Sequence, residues 1–290
     1  MTSLLVGVDV TTSTSADPVG AARAAERLGF DFVSASDHPV GTTPSYETWT
    51  LLTWIAAATS RVAVVSRVLA VPLRNPALVA KMAESLDRLS GGRLVLGLGG
   101  GYADAEFRAF GLPVPTARQK VAGLEDAVRI ARRLWTEQAV TYAGQVHRTD
   151  AATIEPKPAH HIPVWLGTFG PRALAVTGRV ADGWMPSLGH VPDGALPELR
   201  DRVLTAAAEA GRDPTEITCA LNLSVRLGTG GGADLAGEPA AVLDRLAGLR
   251  ELGFTAFNLQ APREQWERLA AEVVATLRPG GAVRRGEKLR

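Results

Sequence analysis

An apolar, β-branched run from Val62 to Leu69 is followed by Pro72 and the pair Asn75-Pro76. Leu78, Val79, Met82, Leu86 and Leu89 then recur at helical spacing. Asn caps helix N-termini and Pro is favoured at the first helical position, so the helix starts there. Gly91-Gly92 stops it. A second apolar run, Leu94 to Leu98, ends in Gly99-Gly100-Gly101. Strand, helix, strand and glycine-rich turn make a unit of a parallel sheet. Glycine at a strand's carboxyl end lets a ligand approach the backbone.

The alternation fills the chain. Further strands are predicted over Leu4 to Val10, Asp31 to Ser36, Val164 to Gly167, Gly183 to Pro186, Ile217 to Val225 and Ala256 to Gln260. Helices are predicted from Asp17-Pro18 to Leu28-Gly29, then over Glu47 to Thr59, Ala103 to Phe110 and Ala117 to Trp135. Others follow at Pro171 to Val180, Pro192 to Ala210, Glu238 to Leu252 and Arg263 to Leu277. Thr141 to Thr149 reads as a small excursion or hairpin, and Gly228 to Gly237 as a candidate mobile lid. Arg27-Leu28-Gly29-Phe30 and Glu251-Leu252-Gly253-Phe254 repeat one helix-stop-to-strand grammar. Eight strands with helical partners predict an α/β fold, a (β/α)8 TIM barrel, as one domain over 1–278 with a basic tail over 279–290.

Composition narrows the classes. The 290 residues are 46% hydrophobic, enough for a large core. Lys and Arg number 31 against 30 Asp and Glu, a balance that gives no support for nucleic-acid or membrane-surface binding. One cysteine, Cys219, excludes an intramolecular disulfide and a Cys-based zinc site. No His/Asp/Glu set has metal spacing, so no metal is expected. Without a signal-like or spanning segment, a cytoplasmic location is expected.

Barrel active sites lie at the carboxyl ends of strands, which selects the candidates. Asp37-His38 follows strand two and offers an acceptor beside a group titrating near neutrality, or only a capped turn. Arg67 interrupts an apolar strand after Ser66, so it meets either a structural carboxylate or an anionic ligand. Tyr102 follows Gly99-Gly100-Gly101 and either donates a hydrogen bond, walls a pocket or ends a tight turn. It stands where the dinucleotide fingerprint needs a small residue, so that motif is excluded. Gly167-Thr168-Phe169-Gly170 precedes Pro171 at a helix start, a place for phosphate or for plain capping. Trp184 stacks on a ring or fills the barrel, and His160 and His161 lie in a Pro-rich loop as solvated groups.

Together, several segments resemble the luciferase-like monooxygenase superfamily of flavin and deazaflavin oxidoreductases. They are Ser36-Asp37-His38, Thr59-Ser60-Arg61-Val62, Pro72-Leu73-Arg74-Asn75-Pro76 and Leu86-Asp87-Arg88-Leu89-Ser90-Gly91-Gly92-Arg93. Gly97-Leu98-Gly99, Gly170-Pro171-Arg172-Ala173-Leu174 and Ala181-Asp182-Gly183-Trp184 complete the set. The resemblance is clear from Leu4 to Pro186. It implies a cofactor with its phosphate on the backbone around Gly167 to Gly170 and its ring against strands two to four. It also implies a cis peptide between Arg67 and Val68, at a bulge backing the ring. Asp37-His38 matches the pair usual in relatives that use coenzyme F420, whereas FMN-using relatives more often carry Glu before that His. FMN is the alternative cofactor.

The resemblance then implies hydride transfer between F420 and a small organic substrate. Asp37 would bind the cofactor, His38 would move a proton, and Tyr102 would line the substrate pocket. Sugar-phosphate dehydrogenases of the family carry Glu as proton donor where Tyr102 stands, which argues against that class. An FMN-dependent monooxygenase and a non-catalytic barrel, plugged by Arg67, are the alternatives. A homodimer is expected through helices two and three, since Trp49, Leu52, Trp54 and Ile55 make helix two apolar on more than one face. A separate reductase that regenerates reduced cofactor is a further expected partner.

Overall fold

The computed structural model describes residues 4–192, 194–228 and 231–278. The chain starts with β1 (Leu5–Asp9), α1 (Pro18–Arg27), β2 (Phe32–Ala35), α2 (Thr48–Ala58) and β3 (Ala63–Ser66). It continues with β4 (Leu69–Ala70), α3 (Pro76–Ser90), β5 (Leu94–Gly99), α4 (Asp104–Ala109) and α5 (Ala117–Thr136). After the hairpin β6 (Val140–Ala143) and β7 (Arg148–Ala152) come β8 (Val164–Gly167), α6 (Pro171–Val180) and β9 (Gly183–Trp184). The last third holds α7 (Leu196–Glu209), β10 (Thr218–Leu227), β11 (Leu235–Gly237), α8 (Pro239–Glu251) and β12 (Ala256–Gln260).

Among the described residues, β1, β2, β3, β5, β8, β9, β10 and β12 pair in parallel in that order, and β12 returns to β1. The fold is therefore a closed (β/α)8 barrel. Local chemistry sets its helices. The Asp17 carboxylate caps α1, and the Asn75 side chain accepts from Ala77 and Leu78 N–H at the start of α3. Gly29 and Gly253 both adopt positive φ, and Phe30 and Phe254 after them bond back to Ala25 and Leu249 carbonyls. The repeated sequence is thus a repeated helix stop that turns a buried Phe into the core.

The lower barrel is filled by one apolar cluster, including Phe32, Val65, Val95, Trp165, Met185 and Ala220. The Phe32 and Trp165 rings meet edge to face at 6.0 Å. Above it the interior turns polar. Ser34 Oγ donates to Asp9 at 2.8 Å or to Asn258 at 3.0 Å, and Asn258 donates to Asn222 at 2.9 Å. Of this layer, Asn222 reaches the wall of the carboxyl-end opening.

Three expectations need correction. The strand predicted from Val62 to Leu69 is broken between β3 and β4. Val65 pairs with Val95 and Leu69 with Leu98, so one strand spends four steps where its neighbour spends three. That is the bulge the resemblance implied, and the Arg67–Val68 peptide within it is cis, as expected; only the unbroken strand read from the apolar run is corrected. The Gly228 to Gly237 segment is not a free lid throughout. β11 pairs with β10, and the Asp234 carboxylate accepts from Ser224 N–H at 2.7 Å and Ser224 Oγ at 2.8 Å; Thr229 and Gly230 lie outside the described residues. The last predicted helix begins as a 3₁₀ turn (Arg263–Gln265), passes through α9 (Trp266–Arg268) and a π-helix (Leu269–Val274), and ends as α10 (Ala275–Leu277). The expected tail at 279–290 also lies outside the described residues. Among those residues no helix is long and apolar enough to cross a membrane.

Candidate active site

A cavity of about 520 Å³ opens at the carboxyl ends of the strands. Its wall includes Asp37, His38, Arg67, Val68, Gly99 and Gly167. The bulge presses Val68 into this cavity between two glycines. A Cβ at Gly99 would sit 2.6 Å from Val68 Cγ2, and one at Gly167 would sit 3.2 Å from it. Gly99 and Gly167 are therefore glycine because Val68 occupies the space, and the three together present a flat apolar floor. The neighbouring glycines answer to packing. Gly101 has φ of 74°, and a Cβ there would meet Phe107 at 2.5 Å. Gly100 packs against Lys120.

Beyond Gly167, Thr168, Phe169 and Gly170 also line the cavity and lead into α6. No side chain caps α6, and Gly170 and Ala173 at its start line the cleft, which therefore meets the positive end of the helix dipole. The Thr168 hydroxyl does not join them. Thr177 Oγ1 donates to the Ala173 carbonyl, so Thr168 is the donor in the 2.7 Å bond between the two hydroxyls. Phe169 stays half exposed and meets His190 edge to face at 6.0 Å.

At the mouth, three side chains form a chain. Glu106 Oε1 lies 2.8 Å from His38 Nδ1, and the Tyr102 hydroxyl lies 3.3 Å from His38 Nε2. An ionised carboxylate only accepts, so it holds the hydrogen on Nδ1 and leaves Nε2 as an acceptor facing Tyr102. Tyr102 itself is 78% exposed, so it walls the opening without filling it. Glu106 was not among the residues expected at the site. Its signal was available, since Tyr102 and Glu106 are four residues apart at the start of a short helix.

Four expected site residues are displaced from the roles assigned to them. The Asp37 side chain is fully buried. Its oxygens accept from Arg74 Nη1 at 2.7 Å, Arg74 Nη2 at 2.9 Å and Ala70 N–H at 3.0 Å. Its carboxylate fixes β4 and Arg74 at the cavity wall. Ser66 is likewise buried, and its hydroxyl exchanges two bonds with the Gly97 backbone. Arg67 lines the cavity, but its guanidinium pairs with Asp9 at 2.8 and 3.2 Å. It thus has the structural carboxylate that was one of its two expected partners, at the edge of the cavity. Trp184 is wholly buried, bonded through Nε1 to the Thr168 carbonyl and packed on Phe254 in the layer between strands and helices, so it neither fills the barrel interior nor lines the cavity. His160 and His161 are half-exposed to exposed, and lie beside Asp87 at 3.1 Å and Asp182 at 3.3 Å.

A family model described as luciferase-like monooxygenase matches residues 2–230. The chain belongs to the luciferase-like monooxygenase family. Among its curated relatives, one from Nakamurella multipartita, named F420-dependent glucose-6-phosphate dehydrogenase, is 36% identical over 217 residues. That match covers 71% of this chain but 62% of the relative, so less than two thirds of its length is spanned. A relative of the same name from Intrasporangium calvum is 31% identical over 284 residues, covering 89% of this chain and 80% of the relative. Among solved luciferase-like barrels, an F420-dependent secondary alcohol dehydrogenase with an F420–acetone adduct superposes with a TM-score of 0.85 at 20% identity. It covers 95% of this chain and 99% of that one. A coenzyme F420-dependent tetrahydromethanopterin reductase from Methanopyrus kandleri gives 0.81 at 20% identity, covering 95% and 100%. At these identities the structural likeness shows the fold alone.

Proposed function

We propose that this barrel is an F420-dependent oxidoreductase that moves a hydride between the deazaflavin and a small alcohol or carbonyl compound. The observation that carries it is the cleft itself: a flat Val68, Gly99 and Gly167 floor joined to the uncapped start of α6. A planar ring on the floor with its phosphate on the α6 N–H groups suits that pair of surfaces. The relatives named as F420-dependent support this cofactor.

When bound, F420 supplies a carbon that accepts or gives hydride. The chain's own groups would do the rest. Val68 would back the ring, and the first turn of α6 would hold the phosphate. An alcohol that loses hydride from carbon must also lose its hydroxyl proton. His38 Nε2 would take that proton, while Glu106 steadies the positive charge arriving on the imidazole. Tyr102 beside Nε2 would orient the substrate oxygen. Glucose 6-phosphate is the first substrate to test because of the relatives' names. Tyr102, in place of the acid expected for that chemistry, favours other alcohols and ketones.

The same reading includes a cytoplasmic enzyme paired with a second copy of itself and served by a separate reductase. Trp49, Leu52 and Ile55 are buried on α2, whereas Trp54 on the same helix is 68% exposed and Leu78 on α3 is 58% exposed. These two support contact through α2 and α3.

The test is titration of the protein with F420 and, separately, FMN, followed by intrinsic fluorescence. Tight F420 binding with weak FMN binding is expected, and reduction of F420 in the presence of an alcohol completes it. Preference for FMN with oxygen uptake would move the chain to the oxygenases. Binding of neither would end the cofactor reading.

A further inference from the structure

A second concavity lies at the opposite end of the barrel. Helices run antiparallel to strands in this fold, so the last turns of α5 and α6 reach the amino-terminal face. There Arg129, Arg132, Arg133, Arg179 and Arg212 surround one cavity of about 460 Å³, with Tyr142 and Asp182 in its wall. Three carboxylates pair with this group. Glu125 is shared by Arg129 at 2.8 Å and Arg179 at 2.9 Å, Asp182 holds Arg132 at 2.5 Å, and Glu137 holds Arg133 at 2.7 Å.

Five guanidinium groups thus face three partners. Glu216 acts on Arg212 only at longer range, and Asp126 accepts from the Tyr142 hydroxyl in the cavity wall at 2.9 Å, so the group as a whole is near neutral and Arg212 is the cation without a close carboxylate among the described residues. Arg212 is the least satisfied member. Its Nη1 donates to the Gly178 carbonyl at 2.6 Å, and no salt bridge holds it among the described residues. Burial lowers its pKa, and Arg132 nearby lowers it further, against the pull of Asp182. A half-desolvated cation with an open cavity before it is completed by an anion.

We propose that this cleft binds a small phosphate-bearing anion, held by Arg132, Arg179 and Arg212. Planar guanidinium forks match the oxygens of a phosphate two at a time. The cavity has room for more than the phosphate, so an organic part is accommodated beside Tyr142 and Val128. The site is separate from the carboxyl-end cleft, and the proposal stands whatever cofactor binds there.

Calorimetric titration of the full chain at low ionic strength tests it, using inorganic phosphate, AMP and a chloride control. Saturable binding of phosphate or AMP, absent with chloride at equal ionic strength, is expected. Arg212→Gln should weaken it at least about tenfold. Arg179→Gln, an exposed change that leaves Glu125 paired with Arg129, should do the same with the melting temperature kept. AMP binding tighter than phosphate assigns a phosphate monoester, and equal binding assigns the inorganic ion. No saturable heat at millimolar ligand, or binding undiminished in both variants, overturns the proposal.

Discussion

Single side chains at the cleft separate chemistry from scaffolding. All of His38, Glu106 and Asp37 line the cavity, but the Asp37 carboxylate, unlike the other two side chains, is fully buried in an ion pair. Replacing His38 with Ala should lower kcat by about 10²–10⁴-fold with F420 affinity nearly kept. Equal losses in both would remove its catalytic role. Glu106→Gln keeps the shape but only weakly favours the Nδ1 hydrogen, so kcat should fall about tenfold or more with KM little changed. A rise in KM at constant kcat would make Glu106 a substrate contact. Asp37→Ala should act on stability instead. It leaves Arg74 with Glu47 as its remaining partner and should cost ~1–3 kcal/mol, read by denaturant unfolding. Cys219 is a further scaffold residue. Burial pushes its thiol pKa up to about 11, so iodoacetamide should label it only after unfolding.

At the level of elements, the bulge between β3 and β4 is the device that shapes the cofactor floor. It needs glycines on the neighbouring strands. A Cβ at Gly97 would come 1.8 Å from the Ser66 carbonyl oxygen, a backbone atom that cannot swing away. Gly97→Ala should therefore destabilise by at least ~1–3 kcal/mol and disturb the bulge. A thermal melt reads the first effect and F420 titration the second, and an unchanged value in both would show that β3 and β5 can separate at no cost. Helix starts and stops show in the local sequence, whereas the break between β3 and β4 showed only through the family resemblance and not in the apolar run. Proline, asparagine and glycine signals fix helix starts and stops through contacts within a few residues. A bulge is a mismatch between two strands some thirty residues apart, and neither strand records it in its own periodicity.

For the whole molecule, acid sensitivity should come from carboxylates spread around the barrel. Asp182 is pushed up by burial, but His161, Arg132 and the Val164 N–H outweigh this and hold it below its usual value. Glu26, Glu47, Glu84 and Glu125 are lowered in the same direction, each against a burial penalty. Lowered folded values mean that the stability these groups add is complete above their unfolded pKa, about 4. It is lost as pH falls through the folded values. The melting temperature should hold from pH 7 to about 5 and drop steeply below about 4; a flat profile would show these contacts to be energetically idle. Assembly is testable at the same scale. Trp54→Glu should convert a dimer into a monomer by light scattering, and a monomeric parent protein would dismiss the α2 and α3 contact.

The sequence by itself determined the alternation of strands and helices, the caps, the closed barrel and the end at which the cleft lies. Those follow from periodicity and from short-range hydrogen bonds, which neighbouring residues carry in full. It also brought Asp37, Arg67, Tyr102 and Trp184 forward as polar or aromatic groups at strand ends. Only the tertiary structure decided what each of them does. Asp37 meets Arg74 across 37 positions, Arg67 meets Asp9 across 58, and Glu106 meets His38 across 68. A buried charge takes the nearest counter-charge in space, and closing the barrel is what brings those partners together.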